Sequence, residues 1–454
     1  SGWGQLSPTL KDLEARAIDG SNNNETHSEY GAAGTQFLRT TPAAYDYDNG
    51  YQPEAPRTNY RAMSNDIIKQ DGEMPNAAGV SDMFTFFCQF IDHDLDLALE
   101  GGEAGPYILA PDDASDPYFA GQTLGIHRSA YFDGSGDEYG DPTQHANAIT
   151  SFIDGSNIYG SSESVMQALR DADKPWLMAM SAGGDLLPIG DQPGDQFQGG
   201  DVRAGENSAL TSIHTIWAME HNHQAEQLKE LHPYWSADDI FYAAKAIVEA
   251  ELQQVVFNEW LPLLVGAENI PAYTGYDPNL EPSVSHEFAT AAFRLGHSLL
   301  SSNIPRLYEN GDSAGAMALA QMFFNPSILQ AAGSVDTLVR GIASHQAQEL
   351  DQHIVEDVRS LLFPGPDGIQ VRDLSVLNNL RGLDHGLGTL NEVRSAMGMT
   401  PYASFEDLAG DPTLAGLLAE HYSSVDEVDL WIGGLIEQHV PGSQLGETFH
   451  WIVL

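Results

Sequence analysis

The chain has 454 residues, 42% of them hydrophobic and 9% aromatic, which is enough for one large core or about two to three average domains. It carries 19 lysines and arginines against 65 aspartates and glutamates, and the net charge of -46 repels nucleic-acid phosphates and anionic lipid. No run of about 18 apolar residues occurs, so we expect no membrane span. Residues 1–4 open into mixed sequence, without the pattern of a secretory signal. The only cysteine, Cys88, is interpreted as a packing residue.

The chain divides into an irregular start and a long helical remainder. Residues 1–60 are rich in Asn, Gly, Pro and Tyr with little periodicity, which predicts an extended arm packed on the core. Residues 61–454 show no repeat, and we expect one mainly α-helical domain with few short strands. Ser236 and Asp239 form a capping-box signature. They precede an apolar-periodic run that ends near Pro262. A similar period over residues 345–363 predicts another helix.

One predicted helix concentrates polar groups among apolar neighbours. Gln89 and His93 lie four positions apart and share a face, and Asp92 and Asp94 flank the histidine. Burying these groups costs free energy unless a charged partner satisfies them, so a metal or an ionic cofactor is the candidate partner. Taken alone, the segment is more typical of a core helix with a structural histidine.

Residues 150–156 place oxygen donors at alternate positions of a predicted loop. Such hard oxygen donors are the ligands that calcium prefers. A polar turn without a metal is the commoner meaning of such a segment, so the loop alone leaves both interpretations open. The candidate ligands are Thr150, Asp154 and Ser156 through their side chains, Phe152 through its carbonyl and, from the helix, Asp94.

A second histidine follows a glycine in a helix predicted over residues 284–301. Gly296 leaves room for a flat group to approach the backbone beside His297, as an axial haem ligand requires. Further polar candidates are Arg203 and Glu206, which precede another predicted helix, and the amide and arginine within residues 377–386.

Together these segments resemble the animal-type haem peroxidases, the family of myeloperoxidase, lactoperoxidase, peroxinectins and, more distantly, cyclooxygenases. The likeness also includes residues 18–23 and 61–65 near the start and residues 429–435 and 445–449 near the end. The resemblance implies a mainly α fold, a single large helical domain with haem between central helices. It also implies haem b and calcium as cofactors.

The resemblance gives each candidate residue a role. His93 is similar to the distal catalytic base, Arg203 to the distal arginine and Gln89 to the glutamine that helps hold water or a halide. Asp92 and Glu206 match the carboxylates that form ester bonds to haem methyl groups in mammalian members. The remaining matches are His297 as the iron ligand, Asn378 as the acceptor of its other ring proton, Arg294 and Arg381 as partners of the haem propionates, and Asp94, Thr150, Phe152, Asp154 and Ser156 as calcium ligands.

The implied activity is reduction of hydrogen peroxide coupled to oxidation of halides, pseudohalides or phenols through a ferryl intermediate. Asn207 occupies the position of the methionine that forms a sulfonium link to haem in myeloperoxidase. Without that link we expect iodide, bromide, thiocyanate or phenolic donors, and not chloride. Leu383 replaces a basic residue usual in the family, and the chain ends before the closing segment of most relatives, which suggests truncation. By the same analogy we expect a secreted monomer.

Three other functions stay open within this resemblance. A fatty-acid dioxygenase of the cyclooxygenase branch requires a radical tyrosine three residues before the proximal histidine, where this chain has Arg294. An adhesive, peroxinectin-like protein is the second, but no Arg-Gly-Asp or Lys-Gly-Asp tripeptide occurs. The third, an inactive haem-binding scaffold, is disfavoured because both His93 and Arg203 are present.

Overall fold

The fold is mainly helical, as predicted, with few and short strands. The computed structural model describes residues 17–454 except 46–52, 102–105, 110–115, 121, 123, 137–140, 182, 191, 193, 332 and 363–372. Parts of the predicted arm, residues 1–16 and 46–52, therefore lie outside the described residues. In its described part, Phe37 donates to the carbonyl of His145 and Leu38 to that of Val284. The division into arm and domain stays a prediction.

Within the described residues the chain forms seventeen α-helices. Two π-helical turns, Ser64–Ile68 and Val256–Trp260, and four short 3-10 segments, Ala267–Asn269, Ala292–His297, Pro326–Ile328 and Val425–Glu427, extend or join them. The helices are α1 (Tyr60–Met63), α2 (Asp82–Leu95), α3 (Ser156–Tyr159), α4 (Glu163–Ala168), α5 (Ser208–Leu231), α6 (Ala237–Val255), α7 (Leu261–Val265), α8 (His286–Thr290), α9 (Leu319–Met322), α10 (Ser334–Ser344), α11 (Glu356–Arg359), α12 (Leu374–Asp384), α13 (Leu390–Ala396), α14 (Phe405–Ala409), α15 (Pro412–His421), α16 (Leu430–Ile436) and α17 (Glu447–Val453).

Two antiparallel strand pairs complete the described structure. Strand β1 (Pro106–Leu109) pairs with β2 (Leu124–His127), with Pro106 opposite His127. Strand β3 (Asn303–Leu307) pairs with β4 (Ser313–Ala318), and its register shifts between Pro305 and Leu307. No described helix is both long and apolar enough to cross a membrane.

Helix α2 runs through the hydrophobic core. Its apolar side chains recur at helical spacing, and Phe86, Phe90 and Ile91 are almost completely buried. Burying each such side chain stabilises the fold by about 1.5–3 kcal/mol. Phe84 stacks on Trp260 with 5.5 Å between ring centroids, and the Trp260 indole donates to the Phe84 carbonyl. The helix also contacts α5, α10 and the 3-10 segment Ala292–His297, so this packing fixes its position.

The capping box that opens α6 is confirmed. Asp239 donates its backbone N–H to the Ser236 hydroxyl at 3.1 Å, and the Asp239 carboxylate accepts the Ser236 N–H at 3.2 Å. The helical path continues through Val256–Trp260 into α7 and ends at Val265, slightly beyond its predicted end near Pro262. Pro262 lies in the first turn of α7, where a missing N–H costs little.

The helix predicted over residues 345–363 is wrong for most of its length. Only Glu356–Arg359 is helical there, and residue 363 lies outside the described residues. Gln346, Gln348 and Ile354 instead form β-bridges with Ser81, Pro75 and Lys69. The apolar spacing therefore reflects the burial of an extended segment, since a short apolar run fits helix and strand alike.

Candidate active site

Four polar residues near the end of α2 differ in their exposure. His93 is 3% exposed and Asp94 is fully buried, whereas Gln89 and Asp92 are partly exposed. The helix begins after Ser81 and ends before Asp96, whose backbone is extended and whose N–H bonds the Asp92 carbonyl. The helical repeat thus places a base, an amide and carboxyl groups on neighbouring turns of α2, as the sequence predicts.

Asp201 holds the guanidinium of Arg203. Nε of Arg203 donates to Oδ1 at 2.8 Å and Nη2 donates to Oδ2 at 2.9 Å. Nη2 also donates to the backbone carbonyl of Asp96 at 2.7 Å, and Nη1 lies 3.7 Å from Asp92. The pair raises the pKa of Arg203 and, despite burial, holds the pKa of Asp201 well below its usual range. The charge is therefore fixed in position.

The imidazole of His93 is close to this pair. Its Nδ1 lies 3.9 Å from Oδ1 of Asp201 and, among the described residues, has no hydrogen-bond partner. Burial, together with the charge of Arg203, lowers the pKa of His93 well below its ordinary value. The ring is accordingly neutral, with one basic nitrogen.

Gln89 is held between the two residues that precede α5. Its Nε2 donates to Oε2 of Glu206 at 2.9 Å, and its Oε1 accepts from Nδ2 of Asn207 at 2.9 Å. Oδ1 of Asn207 in turn accepts the N–H of Leu210 and caps α5. Both ends of the Asn207 amide are thus used in joining α2 to α5.

Three carboxyl groups share this region and are difficult to ionise. Burial raises the pKa of Asp92 to about 6 and that of Glu206 to about 7, although Arg203 lowers both. Burial and the charge of Asp92 raise the pKa of Asp96 well above its usual range. These carboxyls therefore hold their protons to higher pH than exposed carboxyls do.

The second histidine lies in the 3-10 segment Ala292–His297. The helix predicted over residues 284–301 breaks at Ala291, where φ is -133° and ψ is -70°, and only His286–Thr290 of it is α-helical. A Cβ added to Gly296 would meet only Sγ of Cys88, at 3.7 Å, within 4 Å. Burial lowers the pKa of His297 to about 3, so this imidazole is neutral too.

Asn378 lies between His297 and Arg294. Its Nδ2 is 2.8 Å from Nδ1 of His297, and its Oδ1 accepts from Nη1 of Arg294 at 3.1 Å. In this orientation the amide donates to the ring. Acceptance of the ring proton by Asn378 therefore requires the amide to turn over, and it stays a prediction. The residues present fit haem: a neutral imidazole bonded to an amide, and a preceding glycine that adds no side chain beside the ring.

The two arginines predicted to pair with propionates differ in their contacts. Arg294 donates from Nε to the Ala289 carbonyl, and burial lowers its pKa to about 10. Arg381 donates to Oδ2 of Asp384 and to Oγ of Ser129, both at 2.8 Å. Arg294 is therefore the more available cation, while the charge of Arg381 is largely balanced by Asp384.

Four of the five predicted calcium ligands are linked by hydrogen bonds. Oδ1 of Asp94 accepts from the Ser156 hydroxyl at 3.0 Å, and Oδ2 accepts the N–H of Asp154 at 3.1 Å. The Thr150 hydroxyl lies 3.0 Å from both carboxylate oxygens of Asp154. Within the described part of the chain, the carbonyl of Phe152 accepts no hydrogen bond. Burial and the nearby Asp154 raise the pKa of Asp94 to about 8, so a cation would relieve this repulsion.

Two of these site residues were not recognised in the sequence. Asp201 stands two positions before Arg203, and that close acid–arginine spacing was the available signal. Asp96 follows the end of α2 and acts through its backbone carbonyl, which no side-chain pattern reveals.

The fold agrees with comparisons to known proteins. The profile described as animal haem peroxidase matches residues 15–454. The chain belongs to the animal haem peroxidase family. It is 31% identical to peroxinectin A of Dictyostelium discoideum over 97% of this chain and 86% of that protein. It is 31% identical to thyroid peroxidase of Sus scrofa over 96% of this chain, but spans only 54% of that protein.

A solved structure shows the same fold. Peroxidase A from Dictyostelium discoideum aligns with a TM-score of 0.88 and 30% identity, over 96% of this chain and 89% of that one. The chain is accordingly a haem-binding oxidoreductase of the peroxidase type. A fatty acid alpha-dioxygenase from Oryza sativa aligns with a TM-score of 0.79 but only 18% identity, over 96% of this chain and 76% of that one. That likeness shows the fold alone, and the dioxygenase alternative is not favoured.

Proposed function

We propose that this peroxidase oxidises iodide, bromide, thiocyanate or phenolic donors, and that it does not oxidise chloride efficiently. The observation that supports the donor class is Asn207. Its amide joins Gln89 to α5 and contains no thioether, so a sulfonium link to haem cannot form at this position. That link raises oxidising power in myeloperoxidase, and chloride is the hardest of these donors to oxidise.

The distal residues then have distinct tasks. Haem, when bound, supplies the redox-active iron at which hydrogen peroxide is reduced. Asp201 near Nδ1 of His93 favours the tautomer with its hydrogen there, which leaves Nε2 to accept a proton from peroxide and return it to the departing oxygen. Arg203, held by Asp201, stabilises negative charge on that oxygen. Gln89, fixed by Glu206 and Asn207, orients the water or halide beside it.

On the proximal side we propose His297 as the iron ligand, with Asn378 behind it. A neutral amide leaves the imidazole less anionic than a carboxylate partner would. Arg294 and Arg381 are proposed to bind the propionates. Arg294 leaves Asn378 when it does so, and the amide can then turn over so that Oδ1 accepts the Nδ1 proton.

Calcium at Asp94, Thr150, Phe152, Asp154 and Ser156 and ester links through Asp92 and Glu206 complete the proposal. The donor set and the two buried carboxylates support calcium.

Each ester link would form from a carboxyl, a haem methyl and one hydrogen peroxide, giving an ester and two waters. With pKa values of about 6 and about 7, Asp92 and Glu206 can lose a proton near neutral pH, as each ester link requires. We also propose an extracellular location, which fractionation of the source cells would test.

The test uses the haem-loaded protein and its Soret band. One equivalent of hydrogen peroxide should shift the band, and iodide, bromide, thiocyanate or a phenol should return it, whereas chloride should not. His93→Ala should slow the peroxide step by orders of magnitude with haem still bound, while His223→Ala, at an exposed position of α5, should not. An unchanged rate in His93→Ala, or rapid return with chloride, would contradict the proposal.

A further inference from the structure

Three fully buried histidines meet outside the haem site. His145 lies shortly before residues 150–156, His286 is the first residue of α8, and His385 directly follows α12. Each offers a ring nitrogen, and these atoms lie within 4.8 Å of one another. No other group of three or more His, Cys, Asp or Glu side chains is so arranged in the described part of the chain. The fold thus brings together three distant segments of sequence at one point.

The rings of this histidine cluster, defined as His145, His286 and His385, contact one another directly. Nδ1 of His286 lies 2.8 Å from Nδ1 of His385. The ring of His145 stacks on that of His385, with 3.9 Å between centroids and 11° between planes. Nε2 of His385 lies 2.8 Å from the hydroxyl of Ser129, which also accepts from Arg381. If Nε2 donates to Ser129, the Nδ1 lone pair of His385 faces the cluster.

Several nitrogens of the cluster lack a partner. Within the described residues, neither ring nitrogen of His145 nor Nε2 of His286 makes a hydrogen bond. A neutral imidazole has one donor and one acceptor, and a buried group left unpaired costs about 1–3 kcal/mol. A phenylalanine would fill the same space at position 145 without that cost. A ligand that binds their lone pairs would explain why imidazoles occupy these buried positions.

We propose that the histidine cluster binds a zinc-type divalent cation, distinct from the haem iron and from calcium. Zinc binds imidazole nitrogens at about 2.0–2.1 Å, which places the ligand atoms of a tetrahedral site roughly 3.3 Å apart. The two Nδ1 atoms now 2.8 Å apart would separate by about half an ångström to admit the ion. The bond from His385 to Ser129 orients that ring, as the outer contacts of metal-bound histidines commonly do.

The ligand atoms of the cluster and the charges near it indicate which class of cation it would bind. The cluster itself offers nitrogen and no carboxylate, which favours zinc and related metals over calcium or magnesium. Burial lowers the pKa of His145 to about 3 and the pKa values of the other two rings well below normal, so all three are neutral ligands. Nearby Arg128 and Arg381 are both bonded to Asp384, so their charges are partly balanced.

The experiment measures metal content in the haem-loaded protein. Protein produced with zinc in the medium is washed with chelator, returned to calcium and desalted, and its metals are counted by plasma mass spectrometry. Wild type should retain about one zinc per chain. His145→Phe and His286→Phe should each retain less than a tenth of that amount. His223→Phe, which removes an exposed histidine of α5, should retain all of it.

The outcomes distinguish a zinc site from a histidine cluster that only packs in the core. The Soret band and haem content show whether each variant has folded. A wild type without zinc, or a folded His145→Phe with full zinc, would overturn the site. If both variants fail to fold, X-ray absorption at the zinc edge of wild type decides. Three nitrogens at about 2.0–2.1 Å support the site, and a shell of oxygens alone excludes it.

Discussion

Asp201 binds Arg203 through two parallel hydrogen bonds while lying 3.9 Å from Nδ1 of His93. One carboxylate therefore positions both groups proposed to act on peroxide. We therefore expect its effect on the reaction to pass through the arginine and the imidazole.

Replacing Asp201 should test this positioning. In Asp201→Asn, Arg203 loses its charged partner, and we expect the reaction with peroxide to slow by roughly 10- to 100-fold with haem still bound. Stopped-flow absorbance of the Soret band measures the rate. Asp185→Asn, at an exposed position in a nearby loop, is the matched control and should react normally. Equal rates in the two variants would remove Asp201 from this role.

The partner of the proximal histidine should control the reduction potential of the iron. In Asn378→Asp the neutral amide becomes a carboxylate, which makes His297 a stronger donor and lowers the ferric–ferrous midpoint potential. Arg294, now 3.1 Å from Oδ1, would balance part of the new charge, so Arg294→Gln added to this variant should lower the potential further. Spectroelectrochemical titration measures both steps. A midpoint that does not change would argue that Asn378 is not behind the iron ligand.

Calcium should stabilise the protein through the pair Asp94 and Asp154. At a free calcium concentration 100 times its Kd, a bound ion adds about 2.7 kcal/mol to the free energy of unfolding. Thermal unfolding of wild type should therefore shift upward with calcium. Asp154→Asn should abolish the shift, whereas Asp133→Asn, at a position outside this loop, should keep it. A calcium response that survives in Asp154→Asn would place the ion elsewhere.

The ester links should resist acid–acetone extraction. After repeated exposure to hydrogen peroxide, wild type should retain its haem, Asp92→Asn and Glu206→Gln should each keep one link, and the double variant should release all of it. Mass spectrometry of the peptides identifies the linked residue. Full extraction of haem from peroxide-treated wild type would rule out both links.

One glycine of α10 should be essential for packing on β3. A Cβ at Gly341 would lie 1.8 Å from the backbone carbonyl oxygen of Pro305. Gly341→Ala should lower the free energy of unfolding by about 1–3 kcal/mol or more, as overpacked cores do. Gly416→Ala in α15, where nothing lies within 4 Å, should instead stabilise by about 0.5–1 kcal/mol. Denaturant unfolding of both variants gives the comparison.

Local patterns predicted much of this arrangement. The helical face with Gln89 and His93 and the capping box at Ser236 depend on short-range spacing, and both form as expected. The extended path of residues 345–355 depends on pairing with residues 69–81, which no local pattern contains.

The same distinction between local patterns and long-range contacts applies to the functional site. Within one segment, the loop from Thr150 to Ser156, spacing brought the oxygen donors together, and Thr150 does bond Asp154, while calcium binding stays a prediction. Asp201 and the histidine cluster were not recognised, because their importance arises from neighbours far away in the chain. His145 and His286 are 141 positions apart, and only the tertiary fold brings them together.

Several residues with different proposed roles lie close together on α2, which limits the substitutions that the helix can accept. Gln89, Asp92, His93 and Asp94 lie within a span of six residues, and the Asp94 carboxylate accepts four hydrogen bonds from residues 154–157. A displacement of that loop moves the helix and therefore every group on it. Substitutions in the loop and on the helix should accordingly be non-additive in double-mutant cycles. An engineer seeking a new donor specificity would do better to vary residues of α5 that follow Asn207.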